Sequence, residues 1–223
     1  MSQRMGALRG ALVLLAAAGL LACGGSEKKV VDQYFSALNQ GDDQTLASFA
    51  AVKFDQKVQK WAITQAGPEE RSPAELANLV KKMSDSETAL ADNKKEYNTY
   101  FLDHAKEVDQ VRDLMKKNAA IPAGLKKYGD DWKGFTDKEK DLKKQLADAK
   151  AAVEKEKRNV ALSLGNSENL DGLTGDLLTK KVDLNLTIAG EAKPYTMTLR
   201  KYEMQGGSGK MMSRWVVHSL EPK

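Results

Sequence analysis

One cysteine carries the only thiol among the 223 residues, and its surroundings decide what chemistry that thiol could do. Cys23 ends the tetrapeptide LLAC, residues 20–23, which closes an apolar run over residues 11–21. That run is too short to span a bilayer, but after the positive residues Arg4 and Arg9 it is typical of a removable secretory signal. A lone buried or reactive thiol would not explain this position, so acylation of the thiol is the favoured chemistry.

Residues 20–23 resemble the lipobox of bacterial lipoprotein signals. The resemblance implies that residues 1–22 are removed, that Cys23 is joined to a diacylglycerol, and that residues 23–25 form a lipid-anchored linker. Two acyl chains give stable anchoring to a membrane. In these families an aspartate after the cysteine retains the protein at the inner membrane. Since Gly24 is not aspartate, the resemblance implies the outer membrane, facing the periplasm or the cell surface, where the source has two membranes. Where the source has one membrane, it implies a protein that faces outward from it.

The other residue types that could do chemistry are isolated in the sequence. His104 and His218 have no nearby pair of sulfur or imidazole ligands, so no metal site is predicted. Gly209 and Lys210 lack the earlier glycine that a phosphate loop needs at the required spacing. No serine lies in a nucleophile elbow. We therefore expect no cofactor, no metal and no catalytic activity.

The composition of the chain without residues 1–22 argues against nucleic acid as a partner. The whole chain has 35 Lys and Arg against 31 Asp and Glu. Arg4 and Arg9 belong to the signal, which leaves 33 basic side chains against 31 acidic ones. This balance is too near neutral for a nucleic-acid-binding surface. The remaining 201 residues are enough for one domain with an elaboration or for two small domains.

Residues 26–66 are predicted to form a compact helical opening. Apolar residues recur at helical spacing up to Leu38, and Gly41 stands where a left-handed residue would end the helix. Asp42 or Asp43 can cap a second, short helix. A third helix is expected to bring the next apolar side chains inward: Phe54, Val58, Trp61 and Ile63.

Residues 67–160 are predicted to form a long antiparallel helical hairpin. The capping box at residues 72–75 predicts a helix that runs to Pro122, and the sparse apolar positions at residues 91–95 favour a kink there. A second capping box at residues 136–139 starts the return helix. Three aromatic side chains of the tip, residues 121–135, either contact a partner or plug the open end of the hairpin, and the plug is favoured: Tyr128, Trp132 and Phe135. Pairing with a second copy of the chain stays open.

Beyond residue 165 the apolar period changes from helical to two. Val182 to Ile188 and Tyr195 to Leu199 alternate with polar residues, and the glycine-rich residues 206–209 turn the chain into a last apolar segment, residues 211–220. This pattern predicts an antiparallel meander of three strands, with residues 160–164 either a fourth strand or the helix end. Three polar residues are expected on the solvent face opposite Leu184 and Leu186, and are not favoured as catalytic groups: Asp183, Asn185 and Tyr202.

The two ends of the chain resemble secreted nuclear transport factor 2-like domains. Residues 30–42, VVDQYFSALNQGD, resemble their first helix and turn, and residues 195–202 with 213–217 resemble their last two strands. The resemblance implies an α+β fold, in which helices pack on a small antiparallel sheet that curves into a cone. Residues 26–66 and 161–223 would form this domain, and the hairpin, which that family does not ordinarily carry, would be an insertion.

Enzymes of that family use a cavity inside the cone. Five side chains here are candidates to line a pocket, although simple core packing is favoured for them: Tyr34, Trp61, Tyr195, Met197 and Trp215. We therefore expect a non-catalytic, lipid-anchored protein of the cell envelope that acts as an interaction or structural module and contacts an envelope protein. The alternative is a small-ligand-binding protein or a pocket enzyme.

Overall fold

The computed structural model describes residues 25–165, 169–207 and 209–223. Cys23 and the signal lie outside these residues, so the lipid attachment stays a prediction. The described elements, in chain order, are α1 (Ser26–Gln40), α2 (Asp43–Phe49), β1 (Val58–Pro73), α3 (Leu76–Lys116), a single 3₁₀ turn (Ala123–Leu125), α4 (Lys126–Ser163), β2 (Thr174–Ile188), β3 (Glu191–Gly206), β4 (Gly209–Lys210) and β5 (Val216–Pro222).

The predicted α+β class is confirmed, with helices packed on an antiparallel sheet. Strands β1, β2 and β3 are neighbours in that order, and both β5 and the short β4 pair with β3. The register places Val182 opposite Met197, and Met197 opposite Leu220. The meander predicted for the C-terminal third is therefore present as β2, β3 and β5. Residues 160–163 are the end of α4, not a further strand.

The helix predicted over residues 54–63 is wrong, because this segment enters strand β1. Val58 and Trp61 pair with Ile188 and Leu186 of β2. Without β1, the 15-residue strand β2 would present a row of free backbone groups, and pairing satisfies them. The free energy gained by pairing these backbone groups outweighs the helical spacing of the apolar side chains, which covers only a few residues. The strand continues to Pro73, beyond residue 67, where the sequence predicts the hairpin to begin.

One face of the sheet is covered by α1 and α2, as the apolar patterns predict. Gly41 adopts φ 67° and ends α1, and the Asp42 carboxylate accepts a hydrogen bond of 3.0 Å from the Thr45 amide at the start of α2. The alternating residues of β2 are buried against these helices. The centre of this core consists of Val31, Tyr34, Phe35, Leu46, Phe49, Val182, Leu184, Leu186, Met197, Leu199 and Val217.

Helices α3 and α4 form the predicted antiparallel hairpin, but neither predicted capping box starts a helix. Residues 72 and 73 pair with β2, so α3 begins only at Leu76 without a side-chain cap. Helix α4 begins ten residues before Thr136, whose hydroxyl donates to the Trp132 carbonyl at 3.1 Å inside the helix. An ion pair of 3.1 Å between Lys150 and Glu87 marks the register of the two helices.

The end of the hairpin is a compact head, residues 93–139, which is created by a bend in α3. The bend lies at His104, with φ −133° and ψ 25°, and not at residues 91–95 as predicted. Arg112 lines the same cavity as Asn93, although a straight helix would separate them by about 28 Å. Beyond the bend, α3 therefore turns back onto α4. Val108 and Val111 become completely buried there, which two helices alone would not achieve.

Candidate functional sites

The five residues predicted for a pocket lie in or beside the core of the sheet. Tyr34 and Met197 are completely buried, Tyr195 is 8% exposed, and Trp61 and Trp215 are half-buried at the edge of the core. The Tyr34 hydroxyl donates to the Val52 carbonyl at 3.2 Å, and burial raises the pKa of Tyr34 to about 12. These contacts are those of packed core side chains.

Trp61 has two specific contacts on this core. Its ring stacks on Phe35 with 5.3 Å between the ring centroids, and its indole nitrogen donates to the Asp32 carboxylate at 2.9 Å. Among the described residues, the surface cavities that we find are lined by other side chains. The sheet core therefore gives no support to a ligand pocket at these five positions.

The three polar residues predicted on the solvent face of the sheet do not share one environment. Asn185 is exposed, and Asp183 accepts hydrogen bonds from Lys223 at 2.7 Å and Thr196 at 2.9 Å, which together hold the pKa of Asp183 below its usual range. Tyr202 contradicts the prediction, because it is completely buried beneath the end of α4. Burial, followed by the charge of Glu156, raises the pKa of Tyr202.

The hairpin is joined to the sheet by hydrogen bonds around Ser163, which is 1% exposed. Its hydroxyl accepts from the Tyr202 amide and donates to the Arg214 carbonyl, both at 2.9 Å. The Arg214 guanidinium donates to the carbonyls of Leu162 at 3.2 Å and Ser48 at 2.7 Å. The last turn of α4 is thus tied both to the sheet and to α2, which fixes the direction in which the hairpin leaves the sheet.

Two of the three predicted tip aromatics pack inside the head. Phe135 lies between Tyr97 and Tyr100, with ring centroids 5.8 Å and 5.4 Å away, and Tyr128 contacts His104 at 5.2 Å. This arrangement agrees with the expected plug. Their partners on α3 were not predicted, although the spacing of three and four residues between Tyr97, Tyr100 and His104 is the signal of one helix face.

The Tyr100 hydroxyl links the two helices by donating to the Asp131 carboxylate at 3.0 Å. Burial and this carboxylate raise the pKa of Tyr100 to about 12.

Trp132, the third tip aromatic, borders a cavity of about 230 Å³ in the head. The amide of Asn93 lies at this cavity and is 2% exposed. Its nitrogen donates to the Phe135 carbonyl at 3.4 Å, while its buried oxygen has no hydrogen-bond partner. The cavity is lined by Asn93, Lys94, Tyr97, Arg112, Trp132, Phe135, Thr136 and Glu139.

A larger groove of about 840 Å³ lies where α4 meets α2 and β5. Alanines form much of its lining, and Lys155, Arg158 and His218 lie along it. Burial, with the positive charges of Arg200 and Lys155, lowers the pKa of His218 to about 4. His218 is therefore neutral at pH 7 and couples folding to pH.

We expect the protein to lose stability as the pH falls from about 6.5 to about 4, and this loss to be smaller in His218→Gln. In that range the unfolded chain binds a proton at residue 218 and the folded chain does not, so protonation favours unfolding. Urea denaturation at pH 7 and pH 5 measures the change. Ser219→Ala, in the same groove, should show the same change in the free energy of unfolding between pH 7 and pH 5 as the parent protein. If His218→Gln lost as much free energy of unfolding between pH 7 and pH 5 as the parent protein does, the burial of a neutral imidazole would be contradicted.

Comparison of the chain with protein-family models, curated proteins and solved structures finds no match. None of the helices within the described ranges is both long and apolar enough to cross a membrane. In the same part of the chain, no three His, Cys, Asp or Glu side chains are grouped so that they could hold a metal ion.

Proposed function

We propose that this chain is a non-catalytic, lipid-anchored protein of the cell envelope that presents the head of its hairpin to an envelope protein. A diacylglycerol on Cys23 holds it at the outer membrane, facing the periplasm or the cell surface. The domain formed by α1, α2 and the sheet is of the nuclear transport factor 2-like kind, and the hairpin is its insertion.

The observation that carries the proposal is the position of the head relative to the sheet. Residues 76–92 of α3 extend about 25 Å as a helix before the head begins. Within the described residues the hairpin joins the sheet at its base, through Ser163 of α4 and through Ala74 and Leu76 at the start of α3, which are buried with Tyr202. A projecting element that ends in a folded head places a contact surface away from the domain that supports it.

The short linker supports a location at the membrane surface. Residues 24 and 25 alone separate Cys23 from Ser26, the first residue of α1, a span of at most about 11 Å. A lipid on Cys23 would therefore hold the sheet close to the headgroups. Leu102, which is 80% exposed, is an apolar side chain of the head that is open to a partner.

Site-specific photocrosslinking in cells tests the proposal. A photoreactive residue at position 102 of the full chain should give a crosslink to one protein, whereas the same residue at position 212, exposed in the sheet domain, should not. Cys23→Ala should release the chain from the membrane fraction and abolish the crosslink. A membrane-bound Cys23→Ala chain would contradict the anchor. A crosslink to a second copy of the chain, or none at position 102, would contradict the proposed partner.

A further inference from the structure

We propose that the cavity in the head binds a neutral saccharide unit, a single hexose or N-acetylhexosamine ring, with Asn93 accepting a hydrogen bond from it. This goes beyond the proposed function, because a contact with a protein partner requires no sugar site. The two proposals are tested by separate readouts.

The buried oxygen of Asn93 is the first reason. A buried polar group normally has a hydrogen-bond partner, and this amide oxygen has none among the described residues. Asn93 belongs to the lining of the cavity. The missing partner is a donor, which a hydroxyl or an amide N–H of a ligand would supply.

The charged groups that line the cavity have opposite charges near them within the chain, which favours a neutral ligand. A hydrogen bond from Lys143, with the charges of Lys143 and Lys94, holds the pKa of the Glu139 carboxyl below its usual range, so Lys94, which also lines the cavity, lies near that carboxylate. The Glu139 carboxylate is 2.8 Å from the Lys143 ammonium, and the Arg112 guanidinium is 3.2 Å from the Asp109 carboxylate. These groups still have free lone pairs and N–H groups, so they can take part in hydrogen bonds without requiring an opposite charge on the ligand.

The aromatic walls and the size of the cavity identify the class of neutral ligand. Tyr97, Trp132 and Phe135 provide apolar ring surfaces on the same cavity as the polar groups. A pyranose ring offers the two complementary kinds of surface. Its C–H groups form an apolar face, and its hydroxyls donate and accept hydrogen bonds around the edge of the ring. A volume of about 230 Å³ is below the usual range for drug-sized ligands and suits one sugar ring.

Saturation-transfer NMR on the full chain tests this inference. The protein is kept in a polyoxyethylene detergent, which carries no sugar, and is mixed with glucose, galactose or N-acetylglucosamine at millimolar concentration. We expect saturation transfer to the C–H protons of at least one of these sugars. No transfer to any of them, or transfer only to phenylalanine or adenosine as competing probes, would overturn the proposal.

Variants locate the binding and separate it from folding. Trp132→Ala and Asn93→Leu should both reduce the sugar signal to that of a protein-free sample, while Leu102→Ala, on the exposed surface of the head, should keep it. Asn93→Leu fills the same space without an unpaired oxygen, so it should fold as well as the parent protein by far-UV circular dichroism. An undiminished sugar signal in folded Asn93→Leu or Trp132→Ala would show that binding lies elsewhere, and would overturn the assignment.

Discussion

Gly175→Ala is expected to destabilise the protein by about 3 kcal/mol or more. Gly175 is the second residue of β2, lies opposite Met204 of β3 and has φ 155°, a conformation that residues with a Cβ rarely adopt. A Cβ there would lie 2.1 Å from the Glu203 carbonyl oxygen and 2.9 Å from the Met204 Cα. Both atoms belong to the neighbouring backbone, so relief requires breaking strand pairing. Urea denaturation followed by far-UV circular dichroism measures the loss.

Gly134→Ala is the matched control for this substitution. Gly134 lies inside α4 on the exposed surface, and a Cβ there meets nothing within 4 Å. Alanine should raise the free energy of unfolding by about 0.5–1 kcal/mol, because it favours the helix and restricts the unfolded chain. If Gly175→Ala were as stable as the parent protein, the close approach of β2 to β3 described here would be wrong.

Glu27→Ala is expected to cost about 3–5 kcal/mol, because it leaves a largely buried ammonium without its counter-charge. Glu27, in the first turn of α1, forms an ion pair with Lys180 of β2. The side chains are 8% and 15% exposed, respectively. Chemical denaturation of both single variants and the double variant measures the coupling between them.

The double variant Glu27→Leu with Lys180→Met should recover most of this loss, since two apolar side chains can replace a buried pair at little cost. The control is the pair of Lys81 and Asp85 on α3, where both side chains are more than 60% exposed. Asp85→Ala should change the free energy of unfolding by less than about 0.5 kcal/mol. Equal effects of Glu27→Ala and Asp85→Ala would contradict the buried position of the first pair.

This buried pair also bears on the proposed anchoring. It fixes the start of α1 to the sheet only four residues after Cys23, so the linker cannot lengthen by unwinding the first turn without exposing Glu27 and Lys180.

The sequence was enough to predict those helices and strands in which a single spacing of apolar residues, helical or alternating, continues from end to end. The alternation from Val182 to Ile188 predicted a half-buried strand, and all four apolar members of that run are buried. The end of α1 followed from Gly41, since glycine readily adopts positive φ. These features depend on backbone geometry within a few residues, which the sequence specifies directly.

The head and its cavity could not be predicted in the same way. Asn93 is polar and lies in a stretch with few apolar residues, so the sequence suggested a kink there. The structure buries it because the bend at His104 brings the second part of α3 back onto α4. Burial at this point depends on residues far away in the chain, such as Arg112 and Trp132.

The sequence by itself determined the fold class, the two long helices, the C-terminal meander and the prediction of a lipid on Cys23, because each depends on a local pattern of residue types. Only the tertiary structure decided that residues 58–73 form a strand, that α3 bends at His104, and that Tyr202 is buried. These three outcomes share a physical cause. Each covers a surface that would otherwise be exposed: the free edge of β2, the open end of the hairpin or one face of β3. The covering segment lies elsewhere in the chain, and the free energy gained by burial and backbone pairing outweighs the local preference of its residues.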